Sequence, residues 1–487
     1  MIVKRRHAYW VGLLCGLLLF FALGNHQLQN STEPRVAGIA MEMHLSDNWI
    51  TPTLNGAPFL EKPPLSLWLD AAAIRVFGPT PLAVRLASAI AGYLSLIVLY
   101  RLLRRFGRPR AIALAAVLLL VTTATFWSNA RQVGEDALLS LGVTMALLGF
   151  FHASGNRSLH SAPRGAWLLF SMGIVVSTLS KGVLGLALPG VVIFAYLSVE
   201  SLLERRLVLS HWWRALLFTF LGLLPLVIWL CLLYRQGGGD AIKAVLWTNS
   251  IGRFDGSFED AGHYEPFYYY LAKLPQAFLP WNLLVYLGLW HLRKELRSNR
   301  YVLFFSLWLL AQLLLLTLAS SKRMVYLMSL TPAAAVIATE YLAVLLARLR
   351  QHAQTSASAR RWLQRSPALA AALLGLVVLG YLLAAQWLAP RADLKLSFLP
   401  LTERVQALQA QGKHVVLFQP SERLAGASVF YSQSLLDSVP DERQLAALLG
   451  RSANTLAIME SNEEPAAPLK VVERIMVGDR VYYFVSL

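Results

Sequence analysis

Paired charges occupy a loop between two long apolar runs of this sequence. Glu33 and Arg35 open the loop, and a Glu-Lys-Pro-Pro run follows at residues 61–64. Charged side chains beside a bilayer cost free energy unless they are paired, solvated or used, so they predict a functional site. Each proline ring fixes φ and removes a backbone donor, so the double proline stiffens the segment that carries Glu61 and Lys62. Such a loop can hold charges in fixed positions.

Further polar side chains follow in short segments at the ends of later apolar runs. These are Arg131, Asp136, Arg253, His263, Lys322, Arg323 and Tyr326. Arginine binds phosphate oxygens in bidentate fashion and lysine supplies a point charge, so the cations suit a substrate that carries a phosphate. These residues could instead have purely structural roles. Charged side chains at the ends of spans often snorkel to the interface without function, and Asp136 could cap the helix that follows it.

The elements that must position these residues are membrane helices. The chain has 487 residues, of which 56% are hydrophobic and 15% charged, and its mean hydropathy is +0.52. This composition predicts an α-helical polytopic membrane protein with about eleven spans, or up to thirteen. The apolar runs are 8–25, 81–103, 111–128, 137–153, 166–180, 182–199, 213–234, 274–292, 302–319, 324–346 and 368–389. Lys181 and Gly182 divide one region, where a single re-entrant element could replace two spans.

Basic residues predict the orientation of the chain. Lys4, Arg5 and Arg6 precede the first apolar run and no small-residue cleavage site follows it, so we expect a retained first helix with a cytoplasmic N-terminus. The net charge of +17 collects mostly in every second loop, so it indicates topology rather than nucleic-acid binding. The segments then expected outside the cytoplasm are 26–80, 129–136, the turn near 181, 235–273 and 320–323.

Several other classes of site lack support in the sequence. The two cysteines, Cys15 and Cys231, both fall inside apolar runs, so neither a disulfide framework nor a thiolate metal site is predicted. There is no Walker loop and no GxGxxG turn. No motif in the sequence therefore predicts nucleotide binding.

Two regions outside the spans are expected to fold. Apolar residues at helical spacing between charges predict short interfacial helices around 33–46 and 64–77 in the first loop. Near the C-terminus, short apolar strands alternate with amphipathic helices, and the turn at 478–479 predicts a hairpin. We expect a transmembrane domain of residues 1–389 and a small extracytoplasmic α/β domain of residues 390–487.

The first loop resembles that of a known superfamily. Its segments 32–43, 48–56 and 59–65 resemble the first periplasmic loop of the bacterial dolichyl-phosphate-mannose and aminoarabinose transferases. Later pieces of similar sequence follow in the same order: Ala130-Arg131 with Asp136, Lys181-Gly182 with Leu188-Pro189-Gly190, Pro280-Trp281, and Ser320-Ser321-Lys322-Arg323 with Tyr326. The resemblance extends over residues 1 to about 345, and the 61–64 run is its most specific part.

The resemblance implies a GT-C fold glycosyltransferase in the bacterial inner membrane. Such an enzyme takes a sugar from a polyprenyl phosphate, such as undecaprenyl phosphate, and passes it to a lipid A-like lipid, a glycan or a protein on the periplasmic face. Catalytic roles are implied for Glu33 and Asp136. Binding of the donor phosphate and the substrate is implied for Arg35, Glu61, Lys62, Arg131, Arg253, His263, Lys322, Arg323 and Tyr326.

One departure from the superfamily bears on the reaction. Many members carry an Asp-Glu pair where this chain has Thr32-Glu33. If the acceptor is a hydroxyl, Glu33 would serve as the general base; if it is a phosphate, the nucleophile is already an anion and no base is needed. Glu61 and Asp136 would orient neighbouring cations or hold a divalent cation, although no spacing defines a metal site and no cofactor is firmly predicted.

Two other functions stay open. A lipid or solute transporter also carries charges at membrane depth, although usually near the midplane and within an internal repeat, which this sequence lacks. A noncatalytic assembly partner that uses its C-terminal domain is the third possibility. Sugar selectivity depends on pocket shape, so the identity of the sugar stays open too.

Overall fold

Helices make up most of this computed structural model, which describes residues 5–29, 32–154, 164–258, 263–452 and 454–487. Lys4 of the basic N-terminal flank lies outside these residues. The α-helices are α1 (Arg5–Phe20), α2 (Thr32–Ser46), α3 (Leu65–Phe77), α4 (Pro81–Arg105), α5 (Arg110–Val121), α6 (Ala124–Asn129), α7 (Asp136–Ser154), α8 (Arg164–Glu204), α9 (Leu209–Lys243), α10 (Arg253–Asp255), α11 (Tyr269–Ala277), α12 (Asn282–Leu292), α13 (Arg300–Leu318), α14 (Thr331–Thr355), α15 (Ala357–Leu383), α16 (Ala389–Leu396), α17 (Leu399–Ala410), α18 (Glu422–Ser432) and α19 (Glu442–Arg451).

The predicted spans all fall on helices. Within the described residues, seven helical segments are long and apolar enough to cross a membrane, and α5 is a shorter apolar helix. The α-helical membrane architecture is therefore confirmed, whereas the count of eleven spans stays a prediction. The run at 274–292 is divided between α11 and α12, and the run at 324–346 begins with a 3-10 segment, Met324–Leu330.

Helix α8 is broken at its middle. Lys181 (φ −144°, ψ 25°) and Gly182 (φ +53°, ψ −125°) leave the helical region, and glycine adopts a positive φ without strain. The Phe150 ring of α7 lies 6.4 Å from Trp167 and 6.2 Å from Tyr196, which stand on opposite sides of the break. The chain therefore reverses at Lys181, and α8 is a hairpin of two helices, as two predicted spans in this region require.

A second reversal follows near the end of α9. Gly238 has φ +65° and ψ −161°. Val245 lies in the same buried cluster as Trp229, although sixteen residues would place them about 24 Å apart in a straight helix. The chain therefore turns back along α9 and continues as a π-helical segment, Ala244–Gly252. We call residues 239–255 the re-entrant arm.

The first loop contains both predicted helices, α2 and α3, joined through a small hairpin of β1 (Thr53–Leu54) and β2 (Ala57–Pro58). Ten of the fifteen residues of α2 are buried. The helix is covered rather than exposed, because α18 of the C-terminal region packs across it. A Cβ atom added at Gly38 would stand 2.3 Å from the Cα of Gly426, so the two backbones touch where neither residue has a side chain.

The C-terminal region forms the predicted α/β fold. Its strands are β3 (His414–Phe418), β4 (Ser438–Val439), β5 (Thr455–Ser461), β6 (Lys470–Val477) and β7 (Arg480–Ser486). They form one sheet in the order β4-β3-β5-β7-β6, in which β3 runs parallel to β4 and β5 while β7 is antiparallel to β5 and β6. Val477 pairs with Arg480, which confirms the hairpin predicted at 478–479.

The basic loops lie at the opposite end of the helical bundle from Lys181. Arg300 of α13 donates to Glu200 at 3.0 Å, and Glu200 is nineteen residues, or about 28 Å of helix, beyond the break in α8. Arg108, just after α4, forms an ion pair with Glu340 of α14. The arginines thus join neighbouring helices at one end of the bundle, and the break in α8 marks the other.

Candidate active site

A cavity of about 270 Å³ lies beside the break in α8. Its polar wall consists of Glu61, Lys62, Lys181, Asn249, Ser250, Arg253, Ser321 and Tyr326. Its apolar wall includes Val183, Leu184, Ala187, Leu315 and Leu316. A charged head and an apolar flank in one cavity are what an amphiphilic substrate requires.

Two lysines of this cavity share one buried carboxylate. Glu135, which is only 3% exposed, has an Oε1 atom 2.6 Å from Lys62 Nζ and 3.2 Å from Lys181 Nζ. Burial by itself raises the pKa of Glu135, but the two ammonium groups outweigh it and hold that pKa well below its ordinary value. Lys181 also forms an ion pair with Asp136. Glu135 therefore stays ionised, and its contacts with both ammonium groups keep the two lysines in place.

Glu61 gathers three cations on the other side of the cavity. It forms an ion pair with Arg253, while Arg35 Nη1 lies 3.6 Å and Lys62 Nζ 3.9 Å from its Oε2 atom. Burial raises the pKa of Glu61, and these neighbours together lower it below the ordinary value. Glu61 is therefore an ionised group among three cations; its role in orienting Lys62 stays a prediction, because Lys62 Nζ lies nearer to Glu135.

The cavity has more cations than carboxylates. The cations joined in this network are Arg35, Lys62, Lys181 and Arg253, and the carboxylates of the helical bundle are Glu61, Glu135 and Asp136. These bundle carboxylates leave one positive charge over, and its partner is the half-exposed Glu422 of the C-terminal region, whose Oε2 atom lies 2.7 Å from Arg35 Nη1. Buried charges are costly unless they are paired, so a cavity lined by Lys62, Lys181 and Arg253 beside Glu61 favours an anionic ligand.

Breaks in the helical backbone place two of these cations at the cavity. Lys181 stands at the turn of the α8 hairpin, and Arg253 follows the π-helical segment near the end of the re-entrant arm. The segment just before the 3-10 turn closes against the arm, because Ser320 N–H donates to Phe254 O at 2.9 Å and Lys322 N–H donates to His263 O at 2.9 Å. Irregular backbone at membrane depth is tolerated where it lines a cavity.

Two further predicted residues, Tyr326 and His263, lie close to these charged groups. Lys181 Nζ lies 4.2 Å above the Tyr326 ring, which is a cation–π contact. Burial lowers the pKa of His263, and the nearby guanidinium groups of Arg323, Arg253 and Arg35 lower it further. The imidazole is therefore neutral near pH 7 and adds no charge to the site.

Glu33 lies elsewhere, and its contacts argue against the predicted role as a general base. Its carboxylate is 3% exposed and accepts hydrogen bonds from Arg85 Nη2 at 2.7 Å and Nε at 2.9 Å. The backbone N–H groups of Gln29 and Val133 donate to it as well. Burial raises the pKa of Glu33, but the Arg85 ion pair and these hydrogen bonds lower it overall. Glu33 holds the first loop on α4.

Three further predicted cations bind the protein itself. Arg131 donates to the carbonyls of Leu18 and Leu19, at 3.1 Å and 2.9 Å, near the end of α1. It does not pair with Asp136, whose ion-pair partner is Lys181. The other two contacts are Lys322 Nζ to the carbonyls of Glu265 and Ala319, and Arg323 Nη2 to Thr32 Oγ1 at 3.1 Å.

Two charged members of the site were missing from the sequence prediction. Lys181 divides an apolar run, and a lysine within such a run is the signal that could have indicated it. Glu135 stands beside Asp136 without a signal of its own, because only the folded chain brings it to both lysines. Within the described residues, no three histidine, cysteine or carboxylate side chains come close enough to hold a metal ion.

Asp70 is a buried carboxyl group close to this network. It lies on α3 with 1% exposure, and its Oδ2 atom has no hydrogen-bond partner. Burial raises its pKa well above the ordinary value, and the charge of Glu135 raises it further. The folded protein therefore holds this proton more tightly than the unfolded chain does, so the stability that the neutral acid contributes is complete at low pH and declines as the pH rises through the folded-state pKa.

We expect Asp70→Asn to abolish this decline in stability with rising pH. The stability of the variant relative to the wild type should rise as the pH increases above about 4, where an unfolded aspartate ionises, by about 1.4 kcal/mol for each unit by which folding raises the pKa. Thermal unfolding of the two proteins in detergent across this range measures the difference. Asp240→Asn, at an exposed position, is the control and should give a flat difference, and a flat difference for Asp70→Asn would show that folding does not raise the pKa of Asp70.

Several known proteins are similar to this chain in sequence. A sequence model of the dolichyl-phosphate-mannose-protein mannosyltransferase family matches residues 61–229. An undecaprenyl phosphate-alpha-4-amino-4-deoxy-L-arabinose arabinosyl transferase of Pseudomonas aeruginosa (strain LESB58) is 31% identical over 316 residues, 64% of this chain and 55% of that protein. The transferase of the same name from Pseudomonas paraeruginosa is 31% identical over 388 residues, 77% of this chain and 66% of that protein. The chain belongs to the GT-C superfamily of dolichyl-phosphate-mannose and aminoarabinose transferases.

The GT-C fold extends over the whole chain. The crystal structure of ArnT from Cupriavidus metallidurans, bound to undecaprenyl phosphate, has a TM-score of 0.75 and 20% identity, and the match covers 100% of this chain and 99% of that one. The resemblance inferred from the first loop is thus confirmed, and the chain is a polytopic membrane protein of this superfamily. It spans about half the length of the first curated relatives that it matches.

Proposed function

We propose that this chain is a glycosyltransferase that moves a sugar from a polyprenyl phosphate, such as undecaprenyl phosphate, to a phosphate of a lipid A-like acceptor. The observation that carries the proposal is a cavity whose polar wall has three cations, Lys62, Lys181 and Arg253, beside the carboxylate of Glu61, and whose other wall is apolar. A polyprenyl-phosphate sugar is a phosphodiester monoanion with a long hydrocarbon tail. Its charge suits the cations of the polar wall, and its tail suits the apolar wall.

The cations act on the leaving group. When the bond between the anomeric carbon and the donor phosphate oxygen breaks, the departing polyprenyl phosphate gains a second negative charge. Lys62, Lys181 and Arg253 line the cavity where that charge develops. Fixed donors aimed at developing charge are commonly the largest catalytic contribution, so each should supply roughly a hundredfold in rate. Protonation of the leaving group is not required.

A phosphate acceptor follows from the state of the carboxylates. Glu33 is saturated by Arg85 and two backbone N–H groups, and Glu61, Glu135 and Asp136 are all in ion pairs. A hydroxyl nucleophile needs a base to take its proton. An acceptor phosphate oxygen attacks the anomeric carbon as an anion and releases no proton. The pairing of these carboxylates with cations thus supports a phosphate, rather than a hydroxyl, as the acceptor group.

We also propose the placement of the reaction on the periplasmic side of the bacterial inner membrane. Basic loops favour the cytoplasmic side of a bilayer. The ion pairs of Arg300 and Arg108 gather such loops at the end of the bundle away from Lys181. The N-terminus would then be cytoplasmic, with the cavity and an α/β domain of residues 390–487 in the periplasm, after a transmembrane domain of residues 1–389.

The test is a transfer assay with a phosphate-deficient acceptor as control. Purified protein is incubated with undecaprenyl-phosphate aminoarabinose and other lipid-linked sugars, together with lipid A or dephosphorylated lipid A, and products are identified by mass spectrometry. Transfer to lipid A alone is the expected result. Transfer to dephosphorylated lipid A would overturn the phosphate acceptor, and movement of intact donor across proteoliposomes with no transfer from any donor would favour a transporter.

A further inference from the structure

We infer that Glu422, from the C-terminal domain, is an internal counter-ion of the donor-phosphate site, which it neutralises until the phosphate of the lipid takes its place. The inference rests on the proposed function, because it assumes that the cavity receives a polyprenyl phosphate. It assigns the C-terminal domain a direct effect on the affinity for the donor.

The contact is a close ion pair across two distant parts of the chain. Arg35 Nη1 lies 2.7 Å from Glu422 Oε2, which is nearer than the 3.6 Å to Glu61 Oε2. Arg35 is largely buried, with 13% of its side chain exposed, whereas 51% of the Glu422 side chain is exposed. The arginine is fixed by its surroundings, and the glutamate can rotate into solvent.

The backbone beneath the ion pair is firmly docked. A Cβ atom at Gly426 would stand 2.4 Å from Pro34 O, and a Cβ atom at Gly38 would stand 2.3 Å from the Cα of Gly426. Helix α18 thus packs on α2 at backbone contact, with Val429 and Phe430 in the same core as α2. Only a side-chain rotation of Glu422 is needed to free Arg35, and no movement of the domain is required.

The charge balance explains what the rotation would do. With Glu422 included, four carboxylates face the four cations of the network, and its charge is neutral. Without Glu422 one positive charge is uncompensated. Arg35 does not line the cavity itself but is linked to it through Glu61, which also pairs with Arg253. A phosphodiester monoanion in the cavity restores the neutrality of the network, so the donor phosphate and the Glu422 carboxylate compete through the same charge balance.

Removal of the Glu422 charge should therefore tighten binding of the lipid phosphate. We expect Glu422→Gln to lower the Kd for undecaprenyl phosphate in detergent about three- to tenfold at low salt, with a smaller gain at high salt because exposed charges are screened. Glu422→Asp keeps the charge and should bind as the wild type does. Glu463→Gln, an equal change at an exposed residue of the same domain, should leave the Kd unchanged.

The direction of the effect separates this role from a structural one. If Glu422 merely holds Arg35 in place, Glu422→Gln will weaken binding and lower the unfolding temperature, and the inference fails. An unchanged Kd, or an equal change in Glu463→Gln, overturns it as well. Failure of the proposed function is distinguished by the wild type: a protein that binds no polyprenyl phosphate overturns both, whereas normal wild-type binding without tighter binding by Glu422→Gln overturns this inference alone.

Discussion

Glu33→Gln is expected to lower the free energy of unfolding by roughly 3–5 kcal/mol, because it breaks a buried ion pair and leaves the Arg85 guanidinium without its counter-charge. Arg85 is fully buried, and its remaining partners are the carbonyls of Leu23, His26 and Gln27. Transfer activity should fall with the folded fraction. Thermal and chemical unfolding in detergent measure the loss, and transfer is assayed at a temperature where the variant remains folded.

Two comparisons make this result decisive. Glu442→Gln removes an exposed carboxylate from the first turn of α19 and should change stability by less than about 0.5 kcal/mol. In a double-mutant cycle with Arg85→Met, the two single losses should be strongly non-additive, because both remove the same ion pair. A Glu33→Gln protein of normal stability that has lost transfer would restore Glu33 as the general base.

Lys181→Met is expected to lower kcat for sugar transfer about a hundredfold or more, because it removes a fixed cation from the place where the leaving phosphate gains charge. Binding of undecaprenyl phosphate should weaken at the same time. Single-turnover assays separate the loss of chemistry from the loss of binding. Lys243→Met, the same change at an exposed residue near the end of α9, should transfer normally.

The variant also leaves Glu135 with Lys62 alone and removes the ion-pair partner of Asp136, so its fold must be monitored. Lys181→Arg retains the charge and should remain folded, with transfer reduced less than in Lys181→Met because the guanidinium differs in shape. The unfolding temperature of each protein in detergent serves as the folding control. A folded Lys181→Met protein with wild-type transfer would remove Lys181 from the active site and weaken the assignment of the cavity.

Local pattern was enough to predict most elements of the fold. Apolar runs marked the membrane helices, and helical spacing marked α2 and α3 within the first loop. The alternation of strands and helices after α15 marked the α/β fold. Helix boundaries and the number of spans depend on tilt and on the break at Gly182, which hydropathy alone does not report.

The site was harder to predict, because sequence indicates which residues are charged but not which charges meet. Glu33 has the right type for a base, yet its partner Arg85 stands 52 residues later, at the start of a membrane helix, where an arginine resembles a snorkelling residue. Lys62 finds Glu135 rather than its neighbour Glu61 as its nearest counter-ion. Such pairings are set by tertiary packing, which no local motif records.

The order of charges along the chain has a consequence for biosynthesis. Glu61, Glu135 and Asp136 all precede Lys181, and Arg253 comes later still. Because a chain emerges from its N-terminus and its earlier parts settle first, the carboxylates reach the membrane before the lysine that they neutralise. Lys181 thus enters the bilayer with its partners already present, the arm that carries Arg253 follows, and the segment with Ser321 and Tyr326 completes the pocket last.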